Sequence, residues 1–144
     1  MFATQSRFDD RLWLVLRLVA GGFLIPHGAQ KLFGILGSPG LPALSAMFET
    51  AAGLRPGAPF VHLTGAIEFA GGSLLLLGLA TRFAAVASIA ILAGAIMLVN
   101  AGAGFFWTKG GLEYPAMWAA LCLCFAIRGG GRYSLDARLF SGRG

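Results

Sequence analysis

Charge is what this chain has least of. Only 12% of its 144 residues are charged and 57% are hydrophobic, against about a quarter charged and about half apolar in a typical soluble domain. That deficit excludes an ordinary soluble fold and points to a membrane protein. Cysteine is nearly absent as well. Cys122 and Cys124 are the only two, and residues two apart on a helix stand roughly 200° from each other. A bond between them and a CxxC redox motif are both excluded, and the pair reads as small apolar helix residues. Histidine is as rare, with His27 and His62 alone. Their estimated depths differ and no CxxCH is present, so neither a haem nor another metal site is assigned. The glycines follow helix spacing or end helices with no strand before them, so no nucleotide fingerprint exists. Internal repeats and low-complexity segments are also missing.

What is present is a set of long apolar runs: Leu12 to Phe33, Phe60 to Leu79, Phe83 to Ala103 and Tyr114 to Ile127. The first three match the roughly 20 residues that a helix needs to cross about 30 Å of hydrocarbon, and the fourth is short. The runs are continuous and do not alternate, which argues against a β-barrel. The expected fold is all-α: one domain over residues 1–144, a four-transmembrane-helix bundle. Asp9 and Asp10 precede the first run, Arg17 interrupts it and no small-x-small site follows it. It is therefore expected to stay as a span and not be cleaved as a signal peptide.

Basic residues set the orientation. Arg7, Arg11, Arg82, Arg128, Arg132, Arg138 and Arg143 fall on one side, and only Lys31, Arg55 and Lys109 on the other. The positive-inside rule then puts both termini in the cytoplasm. The net charge of +5 is accounted for by this topology and by anionic lipid, so no nucleic-acid partner is invoked. Between the first two runs, Leu41, Leu44, Met47, Phe48 and Ala51 recur at helical spacing with Ser45 and Glu49 opposite. Pro42 suits a first turn and Gly53 a stop, so a short amphipathic helix is expected on the outer face of the bundle.

Ionisable groups inside spans cost about 2.5 to 3.5 kcal/mol each on insertion scales, so each needs a partner or a watery cavity. Arg17, His27 and Glu68 are the three. The stretch LIPHGAQKLF, Leu24 to Phe33, surrounds His27 with a helix-loosening Pro26 and the polar Gln30 and Lys31, and a kink or local opening is expected there. At about 1.5 Å per residue, His27 lies roughly 10 Å and Glu68 roughly 12 Å inside the outer ends of their helices. They share a layer, whereas Arg17 sits about 15 Å nearer the cytoplasm. In the second run Thr64, Gly65, Glu68, Gly71 and Gly72 share a face of mostly small residues, which should turn Glu68 inward.

The functional reading is a polar pocket in the outer half of the bundle. His27 and Glu68 serve as proton donor and acceptor, and Gln30, Lys31 and Asn100 stand near its mouth. Such a pocket suits a quinone, with an apolar slot for the ring and a titratable group beside each carbonyl oxygen. No covalent cofactor is expected, and electrons would come from a redox partner protein. The competing reading is a non-catalytic membrane scaffold or small-molecule carrier, in which the polar groups satisfy one another and fix register.

Taken together, these residues resemble the DoxX family of small four-helix membrane proteins. The similarity runs from RLVAGGFLIPHGAQKLFG, beginning at Arg17, through IEFAGGSLLLLGLATR around Glu68 and Asn100 in the third run, to KGGLEYP and GRYSLD. Gly130 departs from it, standing where the family commonly has a proline. The resemblance implies a bacterial-type inner-membrane protein with a quinone-associated redox role. It carries over Arg17, His27, Lys31, Glu68 and Asn100 as the site positions.

Overall fold

The computed structural model describes residues 2–140, with side chains from Arg7 onward; Arg143 lies outside the described residues. These form six α-helices and no strand: α1 (Phe2–Phe33), α2 (Leu41–Ala51), α3 (Gly57–Leu77), α4 (Thr81–Ala95), α5 (Glu113–Arg128) and α6 (Leu135–Phe140). Three stretches are long and apolar enough to cross a membrane: Arg7–Phe33, Gly57–Leu77 and Thr81–Ala103. The fourth expected span corresponds to α5, whose 16 residues rise only about 24 Å. By length alone, then, three of the four expected spans are met.

Two helices differ from expectation along their length. α1 begins well before Leu12 and runs uninterrupted through Pro26, which is exposed; a break in the helix there is not observed. The third run is α-helical only as far as Ala95. A π-helical turn, Ile96–Asn100, and a 3-10 turn, Ala101–Ala103, complete it. A π turn inserts one extra residue and rotates the side chains beyond it, and such turns are frequent at functional sites.

Small residues sit at the helix contacts beside a few large core side chains such as Leu75 and Phe125, and many large apolar residues point outward. Ala20, Ala84, Ala85, Ser88 and Thr81 are buried, whereas Val15, Phe23, Leu63, Phe83, Val86 and Met97 are exposed. This is the pattern of helices solvated by lipid, where association depends on close packing. α1 and α3 approach through glycines seven apart on each helix. A Cβ on Gly21 would stand 2.5 Å from the Gly72 carbonyl oxygen, and one on Gly28 would collide with the backbone of Gly65 and Phe69. No side chain fits at these contacts, so the helices touch backbone to backbone.

α2 lies on α3 through part of its apolar stripe together with part of its polar face. Leu41 and Met47 are exposed, while Phe48 is buried and Ser45 and Glu49 are half-buried. Glu49 Oε1 accepts a hydrogen bond from the Gly57 amide at 2.7 Å, and Gly57 packs on the backbone of Ser45. Ser45 and Glu49, opposite the apolar stripe in sequence, thus share in the contact with α3. The first amide of α3 needs an acceptor, and Glu49 supplies it.

At the other end, the short α6 clamps the α3–α4 turn. Asp136 accepts from the amides of Ala80 (2.7 Å) and Thr81 (2.9 Å) and from the Thr81 hydroxyl (2.8 Å). Burial works to raise the Asp136 pKa, but the hydrogen bonds from Thr81 and Ala80 and the charge of Arg17 outweigh it. The carboxyl is left below its usual range.

Candidate functional site

The site is built where α1, α3, the π turn and the start of α5 converge. Glu68 is 8% exposed, one turn from both Gly65 and Gly72, so the close approach of α1 and α3 buries it. Its Oε2 is paired with Lys31 Nζ. His27 Nε2 is hydrogen-bonded to the Tyr114 hydroxyl at 3.1 Å. His27 and Glu68 are not bonded to each other: Lys31 reaches inward to Glu68, and Tyr114, from the first turn of α5, reaches His27. The shared layer nevertheless holds, because both residues line one cavity.

That inner cavity is about 180 Å³, walled by Phe23, His27, Glu68, Asn100, Tyr114 and Trp118 among others. Rings stack along it, with Tyr114 edge-on to Trp118 at 5.9 Å and Phe23 against Trp118 at 5.4 Å. Trp118 is 6% exposed, and its indole Nε1–H is buried without a hydrogen-bond partner. A buried donor left unpaired costs about 1 to 3 kcal/mol unless something accepts from it. A second, larger cavity of about 410 Å³ is lined mainly by apolar residues including Phe48, Leu54, Phe60, Leu63 and Val99. Glu68, Ala95 and Asn100 belong to both.

Asn100 reaches this junction because the π turn carries it there. Its Nδ2 donates to the Gly110 carbonyl at 2.6 Å and, more weakly, to that of Gly111 at 3.4 Å, which ties the turn to the loop leading into α5. Lys31 lines the larger cavity as well.

Arg17 and Gln30 do not reach either cavity. Arg17 is 1% exposed and donates to the carbonyls of Leu75 and Leu76, both at 3.3 Å, and of Tyr133 at 2.8 Å. It occupies the C-terminal end of α3, where free carbonyls and the helix dipole favour a cation. Gln30 donates to the Leu36 carbonyl at 2.8 Å and fastens the end of α1 to the turn that follows. His62 is exposed and lines neither cavity. Cys122 is buried and Cys124 exposed, as their spacing requires.

Tyr114, Trp118 and the α2 wall of the larger cavity were not identified from sequence as parts of the site. Tyr114 stood in view as one of only two tyrosines, next to Pro115. No local signal could pair it with His27 across the bundle.

Comparison with known proteins agrees with this architecture. The DoxX family model matches residues 12–101. A Bacillus subtilis (strain 168) protein, CatD, named provisionally an oxidoreductase, is 30% identical over 136 residues, covering 90% of this chain and 88% of its own. An uncharacterized membrane protein of Mycobacterium tuberculosis is 34% identical over 137 residues, 88% of this chain and 80% of its own. An uncharacterized protein of Haemophilus influenzae is 33% identical over 128 residues, 87% and 88%. No solved structure gives a significant match.

Proposed function

Because the chain belongs to the DoxX family of membrane proteins, we propose that it is a quinone-associated component of a membrane redox system, with the ligand seated where the two cavities meet. The observation that carries this reading is the wall of Glu68, Ala95 and Asn100 shared by a roomy apolar chamber and a small one bearing His27, Tyr114 and Trp118. A quinone has matching parts, an apolar body and a carbonyl oxygen on each side of the ring. The unpaired Trp118 indole and the His27–Tyr114 pair offer donors to such oxygens.

A bound quinone supplies two-electron, two-proton chemistry. The chain's own contribution is to orient the ring and to hold or move protons at its oxygens. Glu68 and His27 stand on the same chamber for that task, Lys31 fixes the Glu68 carboxylate, and Asn100 is tied to the loop before α5. Arg17 and Gln30 act on helix ends and position the frame. Electrons come from a partner protein, in keeping with the oxidoreductase name given to the Bacillus relative.

In this reading α5 completes a four-span, single-domain bundle in a bacterial inner membrane. Trp13 near the start of α1 donates to the Gly129 carbonyl at the end of α5, at 2.9 Å, so both lie at one end. The excess of arginine there assigns that end to the cytoplasm. A reporter fused to the C-terminus should behave as cytoplasmic.

The test uses a Trp13→Phe, Trp107→Phe background in nanodiscs, leaving Trp118 as the sole indole. Addition of a quinone analogue should give saturable quenching, weakened at least several-fold in Tyr114→Phe with an unchanged melting temperature. Absence of saturable quenching would sink the proposal. A non-catalytic scaffold or carrier is the second reading, favoured by the carbonyl cage around Arg17 and by the Lys31–Glu68 pair. It expects no quinone binding and a lowered melting temperature in His27→Ala.

A further inference from the structure

A further cavity lies away from the quinone reading, at the end of the bundle marked by Trp13. It is about 650 Å³ and is bounded by the start of α4, the end of α5 and α6, with Arg82 and Arg128 in its wall. Both arginines are exposed. Among the described residues the recorded ion pairs are Lys31–Glu68 and Arg132–Asp10, so neither arginine has a carboxylate partner.

Their placement is specific. Arg82 lies over Gly129, its Nε 3.4 Å from where a Cβ would stand. Arg128 sets its guanidinium 4.7 Å from the Trp13 ring centroid, an arrangement that holds the cation in place and leaves its N–H edges free. The one carboxylate in the wall, Asp136, is already committed to Ala80 and Thr81. Two unpaired cations against one satisfied anion leave the cavity net positive. At its rim are Phe83, 72% exposed, and Phe140, 61% exposed, a surface suited to acyl chain. An indole at this level marks the membrane–water interface.

We infer that this cavity binds the headgroup phosphate of an anionic phospholipid, with Arg82 and Arg128 on the phosphate and Phe83 and Phe140 against the acyl chains. The occupant follows from charge complementarity and from position: basic pockets at the cytoplasmic ends of helices meet anionic lipid in the plane of the membrane. Arginine is the side chain best matched to phosphate oxygens.

The experiment is native mass spectrometry of the full chain released from nanodiscs of phosphatidylglycerol and phosphatidylcholine. The expected result is one retained phosphatidylglycerol in preference to phosphatidylcholine. Its apparent affinity should fall roughly thirty-fold in Arg82→Gln/Arg128→Gln, at about fivefold per lost cation near the surface. Arg7→Gln/Arg11→Gln removes the same charge from the start of α1 and should leave retention nearly unchanged. Equal loss in both double variants would mean general electrostatic attraction and overturn the site. Full displacement of the lipid by millimolar inorganic phosphate would show a site for the free anion and overturn the lipid assignment. Unchanged retention in Arg82→Gln/Arg128→Gln, with the fold verified by its melting temperature, would overturn it outright.

Discussion

Separating Lys31 from Glu68 tests the site and the fold at once. The Lys31 and Glu68 side chains are 18% and 11% exposed, and the pair spans the glycine-packed contact between α1 and α3. Removing one partner of a buried pair costs about 3 to 5 kcal/mol, mainly because the other charge is stranded. Partial exposure here places the expected loss near the lower end, about 3 kcal/mol for Lys31→Met, or roughly a hundredfold in the folded-to-unfolded ratio. Replacing both, as Lys31→Met/Glu68→Met, removes the stranded charge and should return stability to within about 1 kcal/mol of the parent. The assay is reversible unfolding in mixed micelles by SDS titration, followed by circular dichroism, with all four members of the cycle. If each single variant costs less than about 1 kcal/mol and the double equals their sum, the two groups are separately solvated. The account of a buried pair joining α1 to α3 would then be refuted.

Three other perturbations follow from the packing. Gly28→Leu puts a side chain into the backbone of Gly65 and Phe69 and should destabilise by at least about 2 kcal/mol, read in the same titration. Ala80 holds a left-handed conformation at φ 46°, which costs an L-residue roughly 1 to 2 kcal/mol; Ala80→Gly should therefore stabilise by about 1 kcal/mol and raise the melting temperature. Asp136 caps α4, and Asp136→Ala should cost about 1 kcal/mol at neutral pH. Because the folded carboxyl titrates below its usual range, its contribution is complete above the unfolded value of about 3.9 and is lost as pH falls through the lower folded value. Melting curves of parent and variant should converge in that acid window and stay apart above it; a constant gap down to the most acid conditions would contradict the capping role.

Much of the architecture was legible because membrane helices are specified locally. The deficit of charge and three of the apolar runs correspond to helices of spanning length, since a stretch of chain in lipid has to satisfy its own backbone. The small-residue face of α3 correctly turned Glu68 inward. Helix ends were less legible: α1 reaches back to Phe2 and α4 changes to a π turn at Ile96, and neither feature leaves a mark in hydropathy. The contact face of α2 was legible only in part, for a related reason. Apolar spacing finds the stripe that buries Phe48, but not that Glu49 on the polar side serves an amide of α3.

Composition and spacing by themselves determined that this is an all-helical membrane protein, that His27 and Glu68 lie at one depth, and that two cysteines two apart cannot pair. Those conclusions need only the rise and turn of a helix and the cost of charge in hydrocarbon. The tertiary structure alone decided which polar groups meet: His27 with Tyr114, Lys31 with Glu68, and Arg17 with the last carbonyls of α3. It also decided that Asn100 stands at the junction of two cavities. Such partnerships join residues far apart in the chain and depend on helix register, which Gly21 against Gly72 and Gly28 against Gly65 set by backbone contact. No local pattern encodes that register, because it is a property of two surfaces brought together.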